Sequence, residues 1–125
     1  MKRLFAIVLI LLSMLSLTGC NRITIKYDGN AVLKFREKVT QTLTEEETRK
    51  VREYLSSAEY TPGQGGCPFD EDISITFGDQ VFAIAYDDCN GVWVPAADKY
   101  YTISEEGRNY IVSLFKKYVG YFPFP

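Results

Sequence analysis

Acidic residues at the open end of a predicted hairpin are the first candidates for chemistry. Residues 72–77 alternate polar and apolar side chains, and after a turn residues 82–87 alternate large apolar side chains with two alanines and an aspartate. If Phe77 pairs with Phe82, Asp72 faces Asp87, and two carboxylates placed this way could bind Ca²⁺. If Ile75 pairs with Phe82 instead, the two acids are separated and are ordinary solvated side chains.

Carboxylates would also have to serve as the acid and the base of any hydrolytic reaction in this chain. The 125 residues include no histidine, which removes the commonest general base and the commonest zinc ligand. A pair of carboxylates can hydrolyse glycosides without histidine, but such a site needs a pocket that raises one pKa. A small carboxylate-based hydrolase is therefore the alternative function, and a binding domain is the main one.

Aromatic side chains are the candidates for a binding surface. The chain has 9 Tyr, 8 Phe and one Trp. Trp93, Tyr100 and Tyr101 lie close in sequence to a predicted turn at 90–91 and to the acidic residues, and exposed aromatic side chains mark binding surfaces. The competing interpretation is that these three residues fill the core. We take Trp93, Tyr100 and Tyr101 as the candidate binding site.

The N-terminus has the layout of a secretory signal. Lys2 and Arg3 precede an unbroken apolar run over 4–12, and small and mixed residues follow. The segment 4–17 is too short to span a bilayer, because a membrane helix needs roughly 20 apolar residues. The layout predicts cleavage and export.

The end of this signal, Leu17-Thr18-Gly19-Cys20, resembles the lipobox of bacterial lipoproteins. The resemblance implies that residues 1–19 are a signal peptide, that Cys20 becomes a lipid-modified N-terminus, and that residues 20–125 form a domain anchored to the membrane on its extracytoplasmic side. A diacylglycerol supplies two chains, which is what stable anchoring requires.

With Cys20 assigned to lipid by this resemblance, Cys67 and Cys89 remain as one pair in an exported chain. Oxidising compartments favour joining them, so we predict a structural disulfide. After removal of the signal the chain carries 12 basic and 16 acidic groups. This balance argues against a nucleic-acid partner.

Local patterns predict the elements that position these residues. Thr44 and Glu47 form a capping box for a helix over 45–57, and Ser104 caps a second helix that ends at Gly120. Alternating apolar residues predict hairpins and short strands at 23–27, 32–35 (which 38–42 could prolong), 73–77, 82–86 and 92–94, and 99–103 is a further candidate.

The expected fold is therefore α+β, with about five antiparallel strands and two helices packed on one face in the order β-β-α-β-β-β-α, plus one disulfide. No cofactor is expected apart from the possible Ca²⁺. The main functional hypothesis is a lipid-anchored extracytoplasmic domain that binds an unknown protein or envelope partner. The other alternative is a purely structural envelope lipoprotein.

Overall fold

A computed structural model describes residues 22–63 and 67–122, so the predicted signal peptide and Cys20 lie outside the described residues. Within these ranges the elements follow one another as β1 (Val32–Phe35), β2 (Val39–Thr42), α1 (Glu45–Ser56), β3 (Glu59–Tyr60), β4 (Ile73–Phe77), β5 (Gln80–Ile84), β6 (Gly91–Val94), β7 (Lys99–Thr102) and α2 (Glu105–Val119). All strands join one antiparallel sheet in the order β2-β1-β4-β5-β6-β7-β3. The α+β class is confirmed, while the expected five strands and their order are wrong in detail.

The first predicted hairpin is wrong. Residues 23–27 form no strand, and β1 pairs with β2, which was expected only to prolong it, and with β4. Ile23 is buried in the core, while the side chain of Gln80 binds the carbonyl of Thr24 and the amide of Lys26. A side chain thus satisfies backbone groups that a neighbouring strand would otherwise pair.

The central hairpin of β4 and β5 takes the second of the two predicted registers. Ile75 pairs with Phe82 and Phe77 with Gln80. The loop is then only two residues long, and Gly78 provides the positive φ of 62° that such tight turns require. This register separates Asp72 from Asp87.

Both helices begin at the predicted residues. The Thr44 hydroxyl accepts a hydrogen bond from the Glu47 amide, and the Glu47 carboxylate accepts one from the Thr44 amide. Ser104 caps α2 through the amide of Gly107, and Gly120 ends it in the left-handed conformation. These predictions are confirmed. The sequence could make them because each depends only on contacts within one helical turn.

The core lies between one face of the sheet and the two helices. Alternate residues of the strands point toward α1 and α2, which is the expected period of two in a sheet covered on one face. The core includes Leu33, Phe35, Ile73, Ile75, Phe77, Phe82, Ile84 and Val92 from the sheet, and Val51, Leu55, Ile111, Leu114 and Phe115 from the helices. The opposite face, which we call the outer face, has no helix over it within 22–63 and 67–122.

Glu47 joins the two helices. Its carboxylate accepts hydrogen bonds from the Thr44 amide, the Tyr118 hydroxyl at 2.7 Å and the Lys117 ammonium at 2.9 Å. Burial alone would raise the pKa of Glu47, but these three donors outweigh it and lower the pKa from 4.5 to about 2. The folded state therefore holds Glu47 ionised.

Acid should unfold the domain partly through Glu47. Because its pKa is lower in the folded state, its contribution is complete above the unfolded value near 4.5 and is lost as the pH falls toward 2. We expect a loss of at most about 3 kcal/mol over this range. Urea unfolding at pH 6, 4 and 2.5 should show a shallower pH dependence for Glu47→Gln, whereas Glu45→Gln in the same helical turn should behave as wild type. Equal pH dependence in Glu47→Gln and wild type would contradict this role.

Candidate functional site

The outer face carries a row of residues that runs across five strands. Strand register places Lys34, Ser74, Ala83, Trp93 and Tyr100 side by side. Side chains that are cross-strand neighbours point to the same face of a sheet. Two of the three predicted binding residues, Trp93 and Tyr100, thus lie next to one another on the outer face. They are partly exposed, whereas Ser74 and Ala83 of the same row are fully buried.

Trp93 and Tyr100 form a cluster with Phe69, which we call the aromatic cluster. The Trp93 and Tyr100 rings are nearly parallel, with 15° between their planes and 6.3 Å between their centroids. The Phe69 ring lies 6.2 Å from Trp93 and 5.7 Å from Tyr100. The Trp93 indole donates a hydrogen bond of 3.1 Å to Asp98. All three rings are only partly exposed, so their orientation is fixed while part of each surface meets solvent.

The disulfide brings Phe69 to this position. Cys67 and Cys89 are bonded, with 6.2 Å between their Cα atoms, which confirms the predicted pair. The carbonyl of Pro68 also accepts a hydrogen bond from the Tyr86 amide. Cys67 and the three rings of the aromatic cluster line a cavity of about 200 Å³. The cluster therefore has a small recess next to a covalent crosslink.

Tyr101, the third predicted binding residue, is not part of this surface. It is only 4% exposed and lies on the helix-covered face, where its ring packs 5.7 Å from Tyr60. Adjacent residues of a strand point to opposite faces, so Tyr100 and Tyr101 could not share one surface. Sequence reasoning missed Phe69, although its place two residues after a disulfide cysteine was a usable signal.

The two acids proposed for Ca²⁺ have separate partners. Asp72 forms an exposed ion pair of 3.0 Å with Lys34, and the Asp87 carboxylate accepts a hydrogen bond of 2.8 Å from the Cys89 amide. Across 22–63 and 67–122, no group of three or more Cys, Asp or Glu side chains is arranged to hold a metal ion. The register that would have opposed Asp72 and Asp87 is not the one adopted.

A buried arginine organises the chain beyond β5. Arg108 is 6% exposed, and its guanidinium donates to the carbonyls of Ala85 and Asp87. It also lies over the Phe122 ring, 5.2 Å from the centroid. Burial lowers the pKa of Arg108, while the charges of Asp87 and Asp88 raise it. Arginine stays charged in proteins, so the fixed cation orders the segment that leads to Cys89.

A cavity of about 400 Å³ adjoins this arginine. Carboxylates, cations and one phenyl ring line it together, including Asp87, Asp88, Glu105, Arg108, Lys116 and Phe122. Three carboxylates and two cations line it, so the lining carries both signs of charge and one net negative charge. It lies at the disulfide end of the molecule.

Comparison of the chain with protein-family models, curated protein sequences and solved structures finds no match. No helix within 22–63 or 67–122 has the length and apolar character to cross a membrane.

Proposed function

We propose that this protein is a lipid-anchored extracytoplasmic binding domain, and that the aromatic cluster is its contact surface for a protein partner in the cell envelope. The observation that carries the proposal is the position of Phe69, Trp93 and Tyr100. They stand together and partly exposed on the sheet face that no described helix covers.

The chemistry of the cluster favours binding over a purely structural role. Trp and Tyr provide a large apolar area together with a polar group, and they are enriched where partners bind most strongly. Asp98 and the disulfide already hold the rings in place. A partner would therefore bind an ordered surface, and binding would cost little conformational entropy in these three side chains.

The anchor is supported by the sequence and by the crosslink. The layout of 1–19 and the motif ending at Cys20 favour export followed by lipid attachment. A Cys67–Cys89 disulfide is what an oxidising extracytoplasmic compartment would maintain. The proposed location is the cell membrane, with the domain on its extracytoplasmic side.

Shortening the aromatic side chains should strongly reduce partner capture. Trp93→Ala and Tyr100→Ala should each reduce the amount of crosslinked partner recovered from membranes by about tenfold or more, which is typical of central interface aromatics. Tyr60→Ala is the matched control, because Tyr60 is 37% exposed at another part of the sheet. Undiminished capture by both folded variants would show that the partner binds elsewhere.

Removing the lipidation site should release the protein. A Cys20→Ser chain lacks the thiol that would carry the diacylglycerol, so it should accumulate as uncleaved precursor or leave the membrane fraction. Fractionation and intact mass measurement of the wild type and of Cys20→Ser distinguish these forms. Normal processing and membrane retention of Cys20→Ser would contradict the anchor.

A further inference from the structure

The segment before β1 is fastened to one end of the molecule. Ile23 is buried, and the side chain of Gln80 binds the backbone of Thr24 at 2.7 Å and of Lys26 at 2.9 Å. Arg52 of α1 donates a hydrogen bond of 2.9 Å to the carbonyl of Tyr27. The segment is thereby held at the β4–β5 turn.

The Tyr27 ring lies directly on this turn. A Cβ atom at Gly78 would come within 2.9 Å of the ring, so glycine is required for the contact. Tyr27 nevertheless stays 44% exposed. Together with Lys26, Phe77, Asp79 and Gln80 it lines an open cavity of about 530 Å³.

Only three residue steps separate Cys20 from buried Ile23. A fully extended chain of that length reaches about 11 Å at most. A lipid on Cys20 would therefore hold the end of the domain that contains Tyr27 and the β4–β5 turn close to the bilayer surface. This step rests on the anchor proposed above.

From this tether we infer that Lys26, Tyr27 and the Gly78–Asp79 turn rest on phospholipid headgroups, with the cavity beside Tyr27 open to them. An exposed tyrosine with an apolar ring and a polar tip suits the membrane interface. The charged residues of the cavity lining are Lys26 and Asp79, and Arg52 adds a second cation at the Tyr27 carbonyl. Two cations and one anion at this end suit a surface of phosphates better than the acid-rich remainder of the domain does.

The same tether directs the disulfide end away from the membrane. The turn of β4 and β5 lies at one end of these strands, and Cys67 and Cys89 lie beyond the other. β4 and β5 lie side by side and have five residues each, so the two ends are about 17 Å apart. The cavity next to Arg108 is thus left facing the compartment.

Single cysteines can report this orientation in the lipidated chain, because Cys20 would be a thioether and Cys67 and Cys89 are bonded. A fluorophore on Asp79→Cys or Asp28→Cys would mark the membrane end, and one on Asn109→Cys would mark the opposite end. Each protein is reconstituted in vesicles of phosphatidylethanolamine and phosphatidylglycerol that carry a nitroxide on the headgroup.

We expect several-fold stronger quenching at positions 79 and 28 than at position 109. Equal quenching at all three positions, or stronger quenching at 109, in a chain that floats with the vesicles would overturn the orientation alone. A wild-type chain that carries no lipid and fails to float would overturn the anchor as well as the orientation. Urea unfolding of each labelled protein establishes that the fold is intact.

Discussion

Replacing Cys67 and Cys89 together with serine is expected to lower the free energy of unfolding by about 3 kcal/mol. The bond crosslinks residues at a sequence separation of 22, so its loss frees a substantial loop in the unfolded chain. Small domains have only about 5–15 kcal/mol in total. Urea unfolding should therefore show a clearly lower midpoint for the double variant than for the wild type.

Reduction of the wild type is the matched control, because it opens the same bond without a substitution. Both forms should also lose the restraint on Phe69, which lies two residues from Cys67 and packs on Trp93. Trp93 is the only tryptophan, so its fluorescence reports this loosening directly. If the reduced protein and the double variant both unfold at the same urea midpoint as the oxidised wild type, the disulfide does not stabilise the domain.

The helices could be predicted because their signals are local. Thr44 with Glu47, and Ser104 with Gly107, lie three residues apart and satisfy the first amides of each helix. Gly120 ends α2 because it can adopt a φ of 98° without a Cβ clash. None of these contacts depends on where the rest of the chain goes.

The first strands could not be predicted in the same way. Ile23 and Ile25 alternate with polar residues as they would in a strand, yet the backbone there binds the side chain of Gln80, which is more than fifty residues away. The true hairpin turns at Arg36, which adopts a φ of 50° without being glycine. No turn residue in the sequence signals that reversal.

The candidate surface was predictable in part. Trp93 and Tyr100 were identified as candidates, but only the pairing of β6 with β7 shows that they are direct neighbours and that Tyr101 faces the core. Both registers of β4 and β5 bury the same apolar residues, so hydrophobicity could not choose between them. The two-residue turn at Gly78 selects one register, and this register keeps Asp72 and Asp87 apart.

Arg108 gave no signal in the sequence, because a charged residue near the start of a helix is usually solvated. Here it is buried, and its planar group reaches the carbonyls of Ala85 and Asp87 at once. Those carbonyls belong to the chain just past β5, and Ala85 and Asp87 lie outside all the strands of the described residues. The guanidinium thus donates hydrogen bonds to the backbone of this segment, as a neighbouring strand does to the backbone of β5.

Arg108→Met should therefore be about 2–4 kcal/mol less stable than the wild type, since it keeps the apolar stem but leaves one buried and one partly buried acceptor without donors. Arg108→Lys retains the charge without the planar fork, so it should recover only part of this loss. The exposed neighbour Asn109 is the control, and Asn109→Ala should stay within about 0.5 kcal/mol of wild type. Urea midpoints rank the four proteins. If Arg108→Met unfolds at the wild-type midpoint, water or a rearranged chain satisfies the two carbonyls, and the arginine does not hold the segment that leads to Cys89.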